Sequence, residues 1–116
     1  MQYMLLIFEA VDAYDGEDGQ TKLMDIVSKH MALAGELRAS GVQKEGAGLQ
    51  GVETATTIRT GGGVKTVHDG PYAETREHLG GYYVIDVPDL DAALAIARRI
   101  PVLDGTKVEV RPLIVH

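Results

Sequence analysis

Four histidines, His30, His68, His78 and His116, are the side chains of this 116-residue chain best suited to moving protons near neutral pH. They show no metal-ligand spacing such as H-x-x-x-H. The chain has no cysteine, which removes thiolate zinc sites, iron–sulfur clusters, disulfides and cysteine nucleophiles together. The acidic stretch from Asp12 to Gly19 has a calcium-loop flavour but the wrong spacing: counted from Asp12, Leu23 stands where the bidentate glutamate belongs. No metal is expected. Gly61-Gly62-Gly63 lacks the Lys-Ser/Thr that follows a phosphate loop and reads as a turn. There is no nucleophile elbow, dinucleotide fingerprint or deaminase motif, so no cofactor is expected either. Tyr3, Tyr82 and Tyr83 suit an aromatic pocket, or simply a core or an interface. Glu74, Arg76, Glu77 and His78 form a polar run that reads as a lid or as a solvated loop. Arg111 suits an anionic ligand or an acidic neighbour.

The elements that must position these residues come from a chain of one-domain length, 1–116, long enough for a single core. Hydrophobic residues make up 45% and charged residues 24%, which argues for a folded domain over disorder. The net charge is −6, and the only adjacent basic pair is Arg98-Arg99. Phosphate backbones reward basic patches, so direct nucleic-acid binding is not expected. The apolar start Met1–Phe8 has no basic region before it and is followed at once by Glu9 and Asp12, so it reads as a strand rather than a leader. No stretch approaches the roughly 20 apolar residues that span a bilayer. With no cysteine, the expectation is a soluble, cytoplasmic protein.

Residues 2–9 alternate with apolar side chains on both faces: Tyr3, Leu5 and Ile7 on one, Met4, Leu6 and Phe8 on the other. Residues 21–40 form a helix whose stripe is Leu23, Ile26, His30, Leu33 and Leu37, with Asp25 and Lys29 paired outside and Gly41 ending it. A glycine-rich stretch follows at Gly46–Leu49. Glu53–Thr60 and Val64–Asp69 read as strands flanking the triple-glycine turn, and Pro71–Leu79 as a polar loop. Gly80–Val87 is another strand apolar on both faces. Asp89 caps a second helix that carries Leu90, Ala93, Leu94, Ala97 and Ile100 and stops at Pro101. Lys107–Leu113 is the last strand.

The expected order is β-α-β-β-β-α-β, an α+β, ferredoxin-like arrangement with two helices on one face of an antiparallel sheet. Two helices cover only one side of strands that are apolar on both. An uncovered apolar face is what monomers avoid, so a homodimer closing that face with an isologous interface is expected.

The run His68-Asp69-Gly70-Pro71-Tyr72, continuing through His78-Leu79-Gly80-Gly81-Tyr82-Tyr83-Val84-Ile85-Asp86-Val87, resembles the signature of the DGPF group within the YCII-related family, with tyrosine for the namesake phenylalanine. Gly46-Ala47-Gly48-Leu49, Asp89–Leu94 and Val108–Leu113 extend the resemblance over nearly the whole chain. It implies a dimeric α+β barrel built from two ferredoxin-like sheets. It implies a small-molecule-binding protein or enzyme whose proton-transfer site is a His–Asp pair, carried over here as Asp69 and, more loosely aligned, His30. Gly70, Pro71, Tyr82 and Arg111 would bind ligand beside them. A carboxylate near an imidazole favours its charged form and lets the pair shuttle protons. The alternative is that His30 is a hydrogen-bonded core histidine and that Asp69 caps its own turn. DGPF members often occur beside, or fused to, extracytoplasmic-function sigma factors, so the resemblance also implies a second reading: a non-catalytic accessory protein with a sigma-factor partner.

Overall fold

Alternation along the first strand settles which side of the sheet is inside. In a computed structural model that describes residues 1–116, Tyr3, Leu5 and Ile7 are buried, while Met4, Leu6 and Phe8 stay partly exposed on the opposite face. The elements run β1 (Gln2–Ala10), α1 (Gly19–Ala39), β2 (Gln43–Gly48), a short 3-10 turn (Val52–Thr54), β3 (Thr56–Gly61), β4 (Val64–Asp69), β5 (Glu77–Asp86), α2 (Leu90–Ala97) and β6 (Lys107–Pro112). Four strands form one antiparallel sheet in the order β2-β5-β1-β6. With two helices packed on its inner face, the chain is α+β and consistent with a ferredoxin-like fold. No helix is long and apolar enough to cross a membrane.

The core lies between helices and sheet. Leu5 and Ile85 are fully buried, joined by Tyr3, Ile7, Tyr83 and Val87 from the strands, Leu33 and Leu37 from α1, and Ala93 from α2. The helix signals act as expected at their ends. Gly41 takes φ +77° and returns its N–H to the Arg38 carbonyl. Asp25 and Lys29 pair at 3.0 Å. The Asp89 carboxylate accepts the Ala92 N–H at 2.9 Å. α2 is shorter than its apolar pattern suggests, ending at Ala97. Arg99 and Ile100 bond back three residues, tightening the last turn before Pro101.

Three sequence expectations are corrected. Val64–Asp69 forms a strand as expected and Glu53–Thr60 only from Thr56 on, Glu53 and Thr54 lying in the 3-10 turn; β3 and β4 make a separate two-stranded hairpin and do not join the main sheet. Gly62 and Gly63, at φ +57° and +78°, form its two-residue turn. The sheet edge is instead occupied by β2, drawn from the stretch that reads only as glycine-rich chain. Glycine is depleted in strands, which hides β2 from propensity reasoning. Close approach in this ladder favours it on both strands: a Cβ on Gly46 would sit 3.1 Å from the Tyr82 carbonyl, and one on Gly81 of β5 2.9 Å from the Ala47 carbonyl. The third expectation concerned Pro71–Leu79, whose last three residues belong to β5 and not to a loop.

The chain is spread out for its size. Its extents are 46 × 44 × 21 Å and its radius of gyration is 16.1 Å, against about 13 Å for a compact chain of this length. It exposes 8101 Å², where a compact monomer of this mass exposes about 6,200 Å². Two features carry that excess. The outer sheet face presents Met4, Leu6, Phe8 and Tyr82, and the hairpin leaves Ile58 at 64% and Val67 at 69% exposure. A two-stranded hairpin alone is marginal in water.

Candidate functional site

Between α1 and the inner face of β1, β5 and β2 lies a cavity of about 450 Å³, within the range of small-molecule sites. α1 presents Ile26, His30, Ala34 and Arg38 to it at four-residue steps. The opposite wall is stripped of side chains at Gly46, Gly48, Gly80 and Gly81. Gly35 adds room from the helix, since a Cβ there would meet nothing within 4 Å.

His30 does point at the sheet, and what it meets is Tyr83. The Tyr83 hydroxyl lies 2.6 Å from His30 Nδ1, with ring centroids 5.7 Å apart. Burial pushes the His30 imidazole below its ordinary range, and a hydrogen bond with the Pro101 carbonyl pulls weakly the other way. In the tautomer that carries its proton on Nε2, His30 Nδ1 accepts from the Tyr83 hydroxyl. Burial likewise pushes the Tyr83 phenol above its usual range, against the nearby Arg38 guanidinium. Both groups are thus held neutral at neutral pH, and in that tautomer the contact is an O–H···N bond.

A second polar group closes the other end. β1 and β5 slip register between Ile7 and Phe8, where Gly80 is the extra residue. Just beyond this bulge Glu9 faces His78 across the ladder. The Glu9 carboxylate accepts from the Tyr14 hydroxyl at 3.5 Å and lies 3.7 Å from His78 Nε2. It also fills the space that a Cβ on Gly80 would occupy. Burial, then the Glu9 charge, pushes the Tyr14 phenol up. His78 Nδ1 is buried without a partner. No cluster of three or more His, Asp or Glu with metal-binding geometry exists in the fold.

The structure separates the residues that the sequence singled out. Of them, His30, Tyr82 and Tyr83 line the cavity; alternation sends the Tyr82 ring to the outer face, opposite Tyr83. Asp69 ends β4, exposed, with no hydrogen bond or ion pair from its side chain, so within one chain it does not meet His30. The turn beside it is held otherwise: the Gly70 N–H reaches the Ala55 carbonyl at 2.7 Å, and the Thr57 hydroxyl donates to the Gly70 carbonyl at 2.8 Å. Pro71 follows in the same exposed segment, and Arg111 is exposed on β6. Sequence reasoning missed Arg38, Gln43, Glu9 and Tyr14. Arg38 was findable, two four-residue steps from His30 on the same helix face. Glu9 continues the inward alternation of Tyr3, Leu5 and Ile7.

A sheet in the order β2-β5-β1-β6 under two helices, with a polar-ended cavity between the layers, defines an α+β domain of ferredoxin-like type. The YCII-related domain matches residues 1–115, and the chain belongs to the YCII-related family. It is also similar to an uncharacterised protein of Rhizobium meliloti (strain 1021), 44% identical over 64 residues, which is 53% of this chain and 52% of that protein. The match thus spans about half the length of that relative.

Proposed function

We propose that this protein binds a small, largely apolar molecule in the cavity between α1 and β5, and that the His30–Tyr83 pair handles a proton there. The observation that carries the reading is the 2.6 Å His30–Tyr83 contact on the wall of a cavity whose opposite side is glycine. A buried tyrosine bonded to a neutral imidazole can take a proton on its oxygen while giving its own to Nδ1. That needs no metal or cofactor. The reading uses His30 and leaves Asp69 outside the site of a single chain.

The working unit of this reading is a homodimer closed over the outer sheet face. About 1,900 Å² of surface beyond that of a compact monomer is more than enough for an interface, which needs about 800 Å² from each partner. Packing two such faces together builds the barrel implied by the sequence resemblance.

Thermal shifts with indole and p-cresol test the binding reading. A ligand at ten times its Kd stabilises the native state by about 1.4 kcal/mol. Wild type should gain stability, whereas Tyr83→Phe and His30→Ala, still melting cooperatively, should bind at least several-fold more weakly. Undiminished binding by both variants would overturn the assignment.

A further inference from the structure

We infer that the natural ligand of this cavity is an organic acid: an apolar body ending in a carboxylate, held by Arg38 and the side-chain amide of Gln43. The inference rests on the cavity being the binding site and adds the class of molecule that it takes.

Arg38 is an unclaimed cation at the cavity's edge. It makes no ion pair within the chain, while its neighbour Glu36 is taken by Arg99. The other charged side chain lining the cavity, Glu9, is engaged by Tyr14 and His78. The two charges stand at opposite ends. Glu9 packs over Gly80 and bonds Tyr14, whose backbone lies against Gly19 at the start of α1, whereas Arg38 stands in the last turn of that 21-residue helix. An acid is therefore oriented as well as attracted: its charged end is drawn to Arg38 and repelled from Glu9.

Gln43 supplies the independent observation. It lines the cavity and is only 7% exposed, yet its carbonyl oxygen is buried without a partner and its amide nitrogen makes no hydrogen bond within the chain. The amide NH2 is therefore free to donate to a bound acceptor. The amide nitrogen lies at the right end. A Cβ on Gly46 would be 2.7 Å from it, and Gly46 faces Tyr83 across the β2–β5 ladder. Guanidinium and amide N–H, both in the cavity lining, offer a carboxylate one donor group for each oxygen. The rest of the lining is mainly apolar, from Leu23, Ile26, Val27 and Met31 on the helix side to Leu49 on the other. That wall suits a hydrocarbon or aromatic body and not a sugar or a polyphosphate.

Matched pairs test the class directly. Indole-3-acetate and indole-3-acetamide share a shape and differ in charge, as do phenylacetate and phenylacetamide. By titration calorimetry the intact protein should bind each acid at least ten times more tightly than its amide. Arg38→Gln should bring that ratio close to one, the loss falling mainly on the acid. Gln43→Met should lower the ratio severalfold with no loss of melting temperature, because it removes an amide that has no partner to lose. A wild-type ratio near one, or a ratio that survives Arg38→Gln, overturns the organic-acid assignment and leaves the cavity in place. Binding of both members that Gly35→Leu does not weaken puts the ligand elsewhere, and the cavity reading falls with it.

Discussion

Gly35 offers a perturbation whose two consequences run in opposite directions. It lies inside α1, four residues from its end, and a Cβ there would touch nothing within 4 Å. Glycine inside a helix is about 0.8–1.0 kcal/mol worse than alanine, and no steric cost offsets that gain here. Gly35→Ala should therefore stabilise the protein by about 1 kcal/mol, raising the melting temperature by about 4 °C for a domain of this size. Gly35→Leu keeps most of the propensity gain but extends a side chain into the cavity mouth. It should melt no lower than wild type and bind indole at least ten times more weakly. Thermal unfolding followed by circular dichroism gives the first quantity, and calorimetric titration with indole the second. A site kept open at the expense of stability has this signature, a common trade in functional sites. The reasoning fails if Gly35→Ala melts below wild type, or if Gly35→Leu binds indole with full affinity.

Burial keeps His30 neutral, so its folded proton affinity lies below that of the unfolded chain, near pKa 6.5. Below about pH 6.5 the unfolded state binds more protons; stability is lost as pH falls and the loss levels off below the folded value. Urea melts at pH 7.5 and 5.5 should show wild type losing more stability on acidification than His30→Gln; equal losses would count against a buried neutral imidazole. Leu6→Lys places a charge in the outer sheet face and should convert a dimer of 12.5 kDa chains into monomers by sedimentation equilibrium, with the fold retained. A wild-type protein that sediments as a monomer at micromolar concentration would refute the dimer. In the hairpin, Thr57→Val removes the bond to Gly70 and should cost about 1 kcal/mol of local stability, seen as faster hydrogen exchange at the Gly70 amide. Asp69→Asn should change stability by less than about 0.5 kcal/mol; a larger loss would mean that the carboxylate holds the turn after all.

Much of the architecture was legible because alternation and helical period are direct readouts of burial. The two faces of β1 and β5, the α1 stripe with His30 turned inward, the Asp89 cap and the Gly62-Gly63 turn all follow from residue spacing. What escaped did so for physical reasons. β2 carries glycine at Gly46 and Gly48, a residue of poor strand propensity, and Gly46 lets the Tyr82 carbonyl approach closely. β3 and β4 alternate like sheet strands, and alternation does not say which sheet a strand joins. The Asp-Gly-Pro segment attracted attention through its resemblance to a family signature, yet the cavity's polar groups come from four other elements. Tyr83 was visible as a strand tyrosine suited to a pocket, core or interface, but its pairing with His30 across 53 residues is a tertiary fact. Gln43 and Arg38 carry no motif at all; only the fold brings them to the same end of the cavity.

The most direct test of the central claim is a nitrogen-15 correlation spectrum of the wild-type protein titrated with indole. Binding in the cavity predicts saturable shifts at the amides of Gly46, Gly48, Gly80 and Gly81, together with a change at the His30 ring, and little elsewhere. Shifts confined to Met4, Leu6 and Phe8 on the outer sheet face, or to the β3–β4 hairpin, would contradict it.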